Sequence, residues 1–224
     1  MNLNKMIDHT KLGANVSLAH IDQLILEAKT YDFKSVCVNP IWVTYAKEKL
    51  ASTDVLVCTV IGFPHGTHKP NIKKIEAEQA VIDGADELDM VINVYALKSG
   101  DDESIVNDIK GVVEAGQGRT VKVILETCYL STDEIERACK LTLKAGAHFV
   151  KTSTGFGTGG AKVEDVKLMK KVVGSHAEVK ASGGVRTYQD ALIMIEAGAT
   201  RIGTSNGVDI VNQRRENNDS NTSY

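Results

Sequence analysis

The run Glu87-Leu88-Asp89-Met90-Val91-Ile92-Asn93 has one wholly apolar parity and one that is not. Side chains along a strand point alternately to its two faces, so Leu88, Met90 and Ile92 share one face and Glu87, Asp89, Val91 and Asn93 share the other. The apolar face suits packing on helices. The opposite face puts two carboxylates where a core would be, which suits the inside of a closed barrel better than either face of an open sheet.

Working outward from this run, short stretches rich in Val and Ile alternate with longer segments of helical period, the pattern of βα units around a parallel sheet. The strands expected are Met6 to Thr10, Ser35 to Asn39, Val55 to Phe63, Glu87 to Asn93, Val121 to Thr127, Phe149 to Ser153, Glu178 to Ser182 and Thr200 to Thr204. Between them, Leu18, Ile21, Ile25 and Ala28 fall on one helical face, as do Ile135, Ala138, Cys139 and Thr142, and Tyr188, Ala191, Leu192 and Ile195. Asn39 before Pro40 reads as an N-cap and first helical residue, Ser131 with Glu134 as a capping box, and Thr187 as an N-cap. A weak repeat, DGADELDM from Asp83, KAGAHFVK from Lys144 and EAGATRIG from Glu196, carries each helix into the next strand through a terminating glycine. The expected fold is an α/β single-domain parallel (β/α)8 TIM barrel over residues 1–211, with a doubly wound sheet as the alternative and a polar tail over 212–224.

The same parity sends Lys122 and Glu126 inward from the fifth strand, Lys151 and Ser153 from the sixth, and Lys180 and Ser182 from the seventh. Buried charges cost several kcal/mol each unless paired. For Lys122 with Glu126, a salt-bridge network filling a narrow barrel without chemistry is the competing reading. Two lysines on successive strands, both in the frame VKxSxG (Val150 to Gly155 and Val179 to Gly184), call for more. A free lysine, with a pKa of about 10.4, is neutral about once in a few thousand molecules at pH 7 and is a poor nucleophile. Desolvation and a nearby ammonium both favour the free amine, so Lys180 beside Lys151 suits Schiff-base chemistry at Lys151, with Asp89 as the carboxylate that shuttles protons.

Active sites of this fold sit at the C-terminal strand ends, with phosphate often held after strands seven and eight. Three Gly-rich stretches occupy such positions: Thr154 to Gly160, Ser182 to Arg186, and Gly203 to Gly207. Their exposed backbone N–H groups and following helix N-termini can cradle an anion.

The chain resembles the deoxyribose-phosphate aldolase family from Ile7 to about Val211. The resemblance rests on IDHT (Ile7 to Thr10), SVCVNP (Ser35 to Pro40), VCTVIGFPHG (Val57 to Gly66), DGADELDMVIN (Asp83 to Asn93), LETC (Leu125 to Cys128), FVKTSTGFGTGGA (Phe149 to Ala161), VKASGGVRTYQDA (Val179 to Ala191) and GATRIGTSNGV (Gly198 to Val208). It implies a class I aldolase that reversibly cleaves 2-deoxy-D-ribose 5-phosphate to acetaldehyde and D-glyceraldehyde 3-phosphate, with no metal or organic cofactor. It implies the Schiff base at Lys151 and the proton relay at Asp89 and Lys180. Phosphate contacts fall on Gly155, Gly183, Gly184, Gly203 and Ser205, with Asp8 and Thr10 near the sugar hydroxyls and Cys37 and Tyr224 as accessory candidates. Departures are Lys11-Leu12-Gly13, where relatives carry a Leu-Leu-Lys type run, Phe156 in place of a phosphate-facing lysine, and Asn206 in place of a serine.

At 224 residues and a formal charge of −3, with neither sign clustered, the chain shows no general nucleic-acid or membrane surface. The four cysteines lack CxxC spacing, and the start MNLNKMIDHT is not a signal peptide, so free thiols and a cytoplasmic location are expected. His65 and His68 form an HxxH pair in a turn without a clear third ligand, which argues against a metal-dependent aldolase. Partners are the phosphosugar and aldehyde substrates, with no nucleic acid or membrane. Trp42 and Tyr45 are the candidate contact for a homodimer or homotetramer, although core packing also accounts for them. A phosphosugar isomerase or a catalytically inactive phosphosugar-binding barrel would share the phosphate cradle without needing two interior lysines.

Overall fold

A computed structural model describes residues 2–212. Eight parallel strands close in sequence order: β1 (Ile7–Lys11), β2 (Ser35–Val38), β3 (Leu56–Ile61), β4 (Glu87–Val91), β5 (Thr120–Ile124), β6 (Phe149–Lys151), β7 (Glu178–Ser182) and β8 (Arg201–Thr204), with β8 bonded back to β1. Around them run α1 (Leu18–Thr30), α2 (Val43–Leu50), α3 (Pro70–Ile82), α4 (Val94–Ser99), α5 (Asp102–Ala115), α6 (Thr132–Lys144), α7 (Val163–Val173), α8 (Tyr188–Glu196) and α9 (Gly207–Val211). This is the (β/α)8 barrel expected from the alternating strands and helices. Among the described residues, no helix is long and apolar enough to cross a membrane.

The parity of β4 extends around the barrel. Outward side chains such as Ile7, Val36, Val57, Leu88, Met90, Val121, Val123, Val150, Val179 and Ile202 are buried against the helices and form one continuous apolar layer. Local signals place those helices. Ser131 and Glu134 cap α6 reciprocally, and Thr187 with Asp190 does the same for α8. On α6, Ile135, Ala138, Cys139 and Thr142 are all buried, whereas on α1 Ile21, Ile25 and Ala28 are buried and Leu18, in the first turn, is 47 % exposed. The repeated turns have their glycines at positive φ: 104° at Gly84, 82° at Gly146 and 114° at Gly198.

Several strands end earlier than expected, β3 at Ile61 and β6 at Lys151 among them, and two of these ends redirect a polar side chain. β4 stops at Val91, and the Asn93 side chain turns out of the barrel to accept from Ala96 N at 3.1 Å, capping α4. β5 stops at Ile124, and Glu126 adopts a left-handed conformation (φ 56°, ψ 61°). Asn39 does not cap a helix through its side chain. A 3-10 turn, Pro40–Trp42, follows it, and its Nδ2 donates to Leu12 O at 3.2 Å, tying the loop after β2 to the loop after β1.

Outside the barrel, Lys73 of α3 is fully buried and donates to Asp108 Oδ2 of α5 at 2.5 Å and to Val91 O at 2.9 Å. Burial pushes the Asp108 carboxyl up despite Lys73. Gly62, at φ 63°, leaves room for this lysine stem, since a Cβ there would lie 2.8 Å from Lys73 Cε. The pair pins the C-terminal end of β4 at Val91, on the same strand as Asp89.

Candidate active site

Because inward positions come from every second residue, the interior layer of charge is fixed by register. Asp89 pairs across to Lys122, Lys151 to Lys180, and Lys180 to Arg201. Asp89 Oδ2 accepts from Lys151 Nζ at 2.7 Å and Lys180 Nζ at 2.8 Å, while Oδ1 accepts from Lys122 Nζ at 2.8 Å and the Cys58 thiol at 3.2 Å. Asp8 accepts from Lys180 Nζ at 2.5 Å, Arg201 Nη1 at 2.7 Å and Ser35 Oγ at 2.7 Å. Glu87 takes Lys122 Nζ at 2.6 Å and both terminal nitrogens of Arg201 at 2.8 and 3.2 Å.

These groups count as three carboxylates, Asp8, Glu87 and Asp89, against four basic side chains, Lys122, Lys151, Lys180 and Arg201. Burial alone would push the Asp89 carboxyl up, but Lys122, Lys151 and Lys180 outweigh it and hold it well below the usual range. Asp8 is likewise depressed, with Lys180, Arg201 and Lys122 overcoming its desolvation. Burial opposes charge on Lys180 and Lys122, yet the surrounding carboxylates raise both above the usual lysine value, fixing them as ammoniums. Arg201 is also raised, burial notwithstanding, by Asp8 and Glu87. Three carboxylates thus sit among four basic groups, with Lys151 held by Asp89 alone.

Lys151 is also the member of the set that reaches open space. It lines a cleft of about 550 Å³ at the C-terminal strand ends, whose walls include Thr10, Gly155, Gly183, Gly184, Gly203 and Ser205 from the sequence-derived set. Asp89 and Lys180 lie directly beneath, fully buried and joined to Lys151 through Asp89 Oδ2. Asp8, expected among the sugar contacts, does not line the cleft. Its side chain faces the barrel axis below Lys180, where Arg201 and Ser35 hold it. Cys37 is also fully buried, packed with Cys58, Val60 and Leu12. Tyr224 lies outside the described residues.

The glycines have packing reasons besides any anion. At Gly203 a Cβ would sit 2.9 Å from Lys180 Cε and 2.9 Å from Ser182 Cβ, so this position is kept clear for the Lys180 stem. At Gly160 a Cβ would come 2.2 Å from Gly183 O, the carbonyl that accepts from Ala161 N, so the loops after β6 and β7 touch backbone to backbone. Phe156 points away from an ionic role and meets Phe63 edge-on at 5.4 Å. The cleft walls carry Lys11, His20 and Arg186. Of these, the motifs of the sequence had quoted Arg186 without a role and had noted Lys11 as a departure.

Two buried groups were not recognised for what they do. Arg201 shares the inward parity of Gly203 and could have been found by it, but an arginine at a strand start reads as surface. Glu126 has the parity of Lys122 but does not join that network. Having left the strand, its carboxylate accepts from Thr154 N at 3.3 Å and from Thr154 Oγ1 in a short hydrogen bond, bracing the loop that follows Lys151. His65 and His68 are exposed, and among the described residues the one group of three close metal-type donors is Cys37, Cys58 and Asp89.

Residues 3–213 match the model of the DeoC/LacD family aldolases. The chain is 56 % identical over 224 residues to a deoxyribose-phosphate aldolase of Acholeplasma laidlawii, covering all of both chains, and 58 % identical over 219 residues to that of Staphylococcus epidermidis, covering 98 % of this chain and all of the relative. Its structure is similar to the tetrameric deoxyribose phosphate aldolase of Aeropyrum pernix, with a TM-score of 0.87, 32 % identity, and 94 % and 89 % of the two chains covered.

Proposed function

The chain belongs to the DeoC/LacD aldolase family, and we propose that it cleaves 2-deoxy-D-ribose 5-phosphate reversibly to acetaldehyde and D-glyceraldehyde 3-phosphate through a Schiff base on Lys151. The observation that carries this reading is the placement of Lys151: of the four basic groups gathered around Asp8, Glu87 and Asp89, it is the one at the floor of the cleft. Of the interior lysines, Lys151 is the one that reaches the cleft, so its amine is the group placed to attack a substrate carbonyl.

In the cleavage direction, Lys151 Nζ adds to the aldehyde of the open-chain sugar. The carbinolamine loses water to give an iminium. Removal of the C3 hydroxyl proton then breaks the C2–C3 bond, the electron pair passes into the iminium as an enamine, and D-glyceraldehyde 3-phosphate leaves. Protonation of the enamine carbon and hydrolysis of the resulting iminium release acetaldehyde and restore the amine. Asp89 and Lys180 supply and receive protons at Lys151, since both approach through a single oxygen, Asp89 Oδ2. At the far end, the phosphate takes backbone N–H groups of Gly155, Gly183, Gly184 and Gly203 and the Ser205 hydroxyl, with Lys11 and Arg186 on the wall adding positive charge. Thr10 borders the sugar hydroxyls, and Asp8 acts on them at one remove, through Lys180. The chemistry calls for no metal or organic cofactor.

An isomerase would have no need of two interior lysines, Lys151 and Lys180, meeting at one carboxylate oxygen. An inactive binding barrel would leave a fourth buried basic group without purpose. We place catalysis in a single domain over residues 1–211, with 212–224 as a polar tail. Self-association into a homodimer or homotetramer is supported by the Aeropyrum pernix tetramer and by exposed apolar side chains at Ile41, Ile75, Ile82 and Tyr95. Four unpaired thiols support a reducing, cytoplasmic setting.

Borohydride reduction in the presence of acetaldehyde or deoxyribose phosphate, followed by peptide mass mapping, tests the mechanism. The adduct is expected on Lys151. An adduct elsewhere, or an active enzyme that traps nothing, refutes it.

A further inference from the structure

Cys37, Cys58 and Asp89 stand on three successive strands, all facing inward. Cys37 is the in-register partner of Cys58, and their sulfurs and an Asp89 carboxylate oxygen lie within 4.8 Å of one another. The Cys58 thiol already meets Asp89 Oδ1 at 3.2 Å. A tetrahedral zinc-like ion, about 2.3 Å from sulfur and 2.1 Å from oxygen, needs such donors about 3.6–3.8 Å apart, which small side-chain rotations supply here. Leu12, Val60 and Phe63 roof the thiols with apolar surface, and Cys58 and Cys37 are fully buried.

We propose that this trio is a binding site for one thiophilic divalent cation, of the zinc or cadmium class, and that its occupancy switches the aldolase off. Two sulfurs select a soft ion over magnesium or calcium. The charge balance permits entry among ammoniums. The ion carries two positive charges and displaces one proton from each thiol, so the site gains none in total. Lys122, 3.5 Å from Cys58 Sγ, and Lys180 face the new thiolates, while Leu12, Val60 and Phe63 contribute no opposing charge. The ion takes Asp89 from the opposite side to Lys151. It replaces the Cys58 hydrogen bond on Oδ1, turns the carboxylate toward the sulfurs, and loosens the Oδ2 contacts to Lys151 and Lys180. The inhibitory consequence rests on the role assigned to Asp89 above, whereas the binding does not.

The test uses reduced full-length protein in which Cys128 and Cys139, the remaining thiols, are replaced (Cys128→Ser, Cys139→Ala). Cadmium titration is expected to give the ultraviolet thiolate-to-cadmium charge-transfer band, saturating at one ion per chain. X-ray absorption of the bound cadmium should report two sulfur neighbours. The band, and the rise in Tm that binding produces, should vanish on adding Cys37→Ser or Cys58→Ser. Loss of the band in the background protein, or a single sulfur neighbour, overturns the site without relying on the serine variants to fold. Cadmium-loaded protein should trap acetaldehyde at least tenfold more slowly than metal-free protein and recover on chelation. An unchanged trapping rate in the loaded form overturns the inhibition. Metal-free protein that traps nothing would instead count against the aldolase reading.

Discussion

If Lys151 is the fourth basic group over three buried carboxylates, Lys151 and Lys180 should substitute for each other as counter-ions, and a double-mutant cycle will show it. Lys180→Met removes hydrogen bonds to Asp8 Oδ2 and Asp89 Oδ2, yet Asp8 keeps Arg201 and Ser35, and Asp89 keeps Lys122 and Cys58. Lys151 then becomes the third cation the carboxylates need. A loss of about 2 kcal/mol is expected, the scale of a charged hydrogen bond whose partners stay satisfied. Lys151→Met costs less, about 1 kcal/mol, because three committed cations remain. In the double variant three carboxylates face only Lys122 and Arg201, and the uncompensated buried charge adds about 3 kcal/mol beyond the sum.

Urea denaturation of the four proteins measures the cycle, with an expected coupling several times the roughly 0.5 kcal/mol scatter of independent sites. Trapping supplies the second readout. Lys180→Met removes one of the two lysines that meet at Asp89 Oδ2, and adduct formation at Lys151 should slow at least tenfold. Additive stabilities would refute the counter-ion argument, and wild-type trapping in Lys180→Met would refute the place of Lys180 in the proton relay.

Four further outcomes are expected. Stability should fall in two stages on acidification. Burial lowers the His9 pKa from 6.5, so the unfolded chain binds the extra proton first and stability erodes below that pH. Asp8 and Asp89 lie below their unfolded value of 3.8, so their contribution is complete above it and is lost as pH falls toward their folded values. Urea midpoints against pH measure both stages, and Asp8→Asn should flatten the lower one. Gly203→Ala should push Lys180 aside and cut trapping at least tenfold, with about 1–3 kcal/mol of strain. Gly184→Ala, at φ 81° with no atom within 4 Å of the added Cβ, should cost about 1 kcal/mol, raise KM for the phosphorylated sugar and leave acetaldehyde trapping intact. Glu126→Gln weakens the brace on Thr154. About 1–2 kcal/mol of stability and several-fold in KM should be lost, with the adduct still on Lys151, as urea melts, steady-state kinetics and mass mapping would show.

What could be read from the chain followed from periodicity. Parity placed Glu87, Asp89, Lys122, Lys151 and Lys180 inside the barrel because a strand in a closed sheet has only two directions to point. It failed where the strand itself ended. Asn93 and Glu126 were carried two residues too far, since a helix cap and a left-handed turn, not side-chain alternation, decide their directions. Lys73 defeated the helical pattern in a similar way. A lysine on a helix ordinarily reads as solvent-facing, and nothing local announces that Asp108, from the next long helix, will meet it. The resemblance set Asp8 near the sugar hydroxyls, and in the structure its inward carboxylate is taken by Lys180, Arg201 and Ser35.

The same layering connects stability with reactivity. A barrel interior filled by aliphatic side chains would be easier to stabilise, because each of these charges carries a desolvation penalty of several kcal/mol. That penalty is offset here by full coordination. Asp89 accepts four donors, Asp8 three, and Glu87 both an ammonium and a guanidinium. A network so saturated leaves little freedom for a base to wander, and it holds Lys151 Nζ at a fixed point on the cleft floor. Its one imbalance, a basic group more than the carboxylates require, falls on the residue that meets the cleft. Removing any single carboxylate should therefore harm catalysis differently from removing Lys180. Loss of an anion widens the cationic excess and loosens the position of Lys151. Loss of Lys180 leaves Lys151 held by Asp89 and removes a partner of the proposed proton relay.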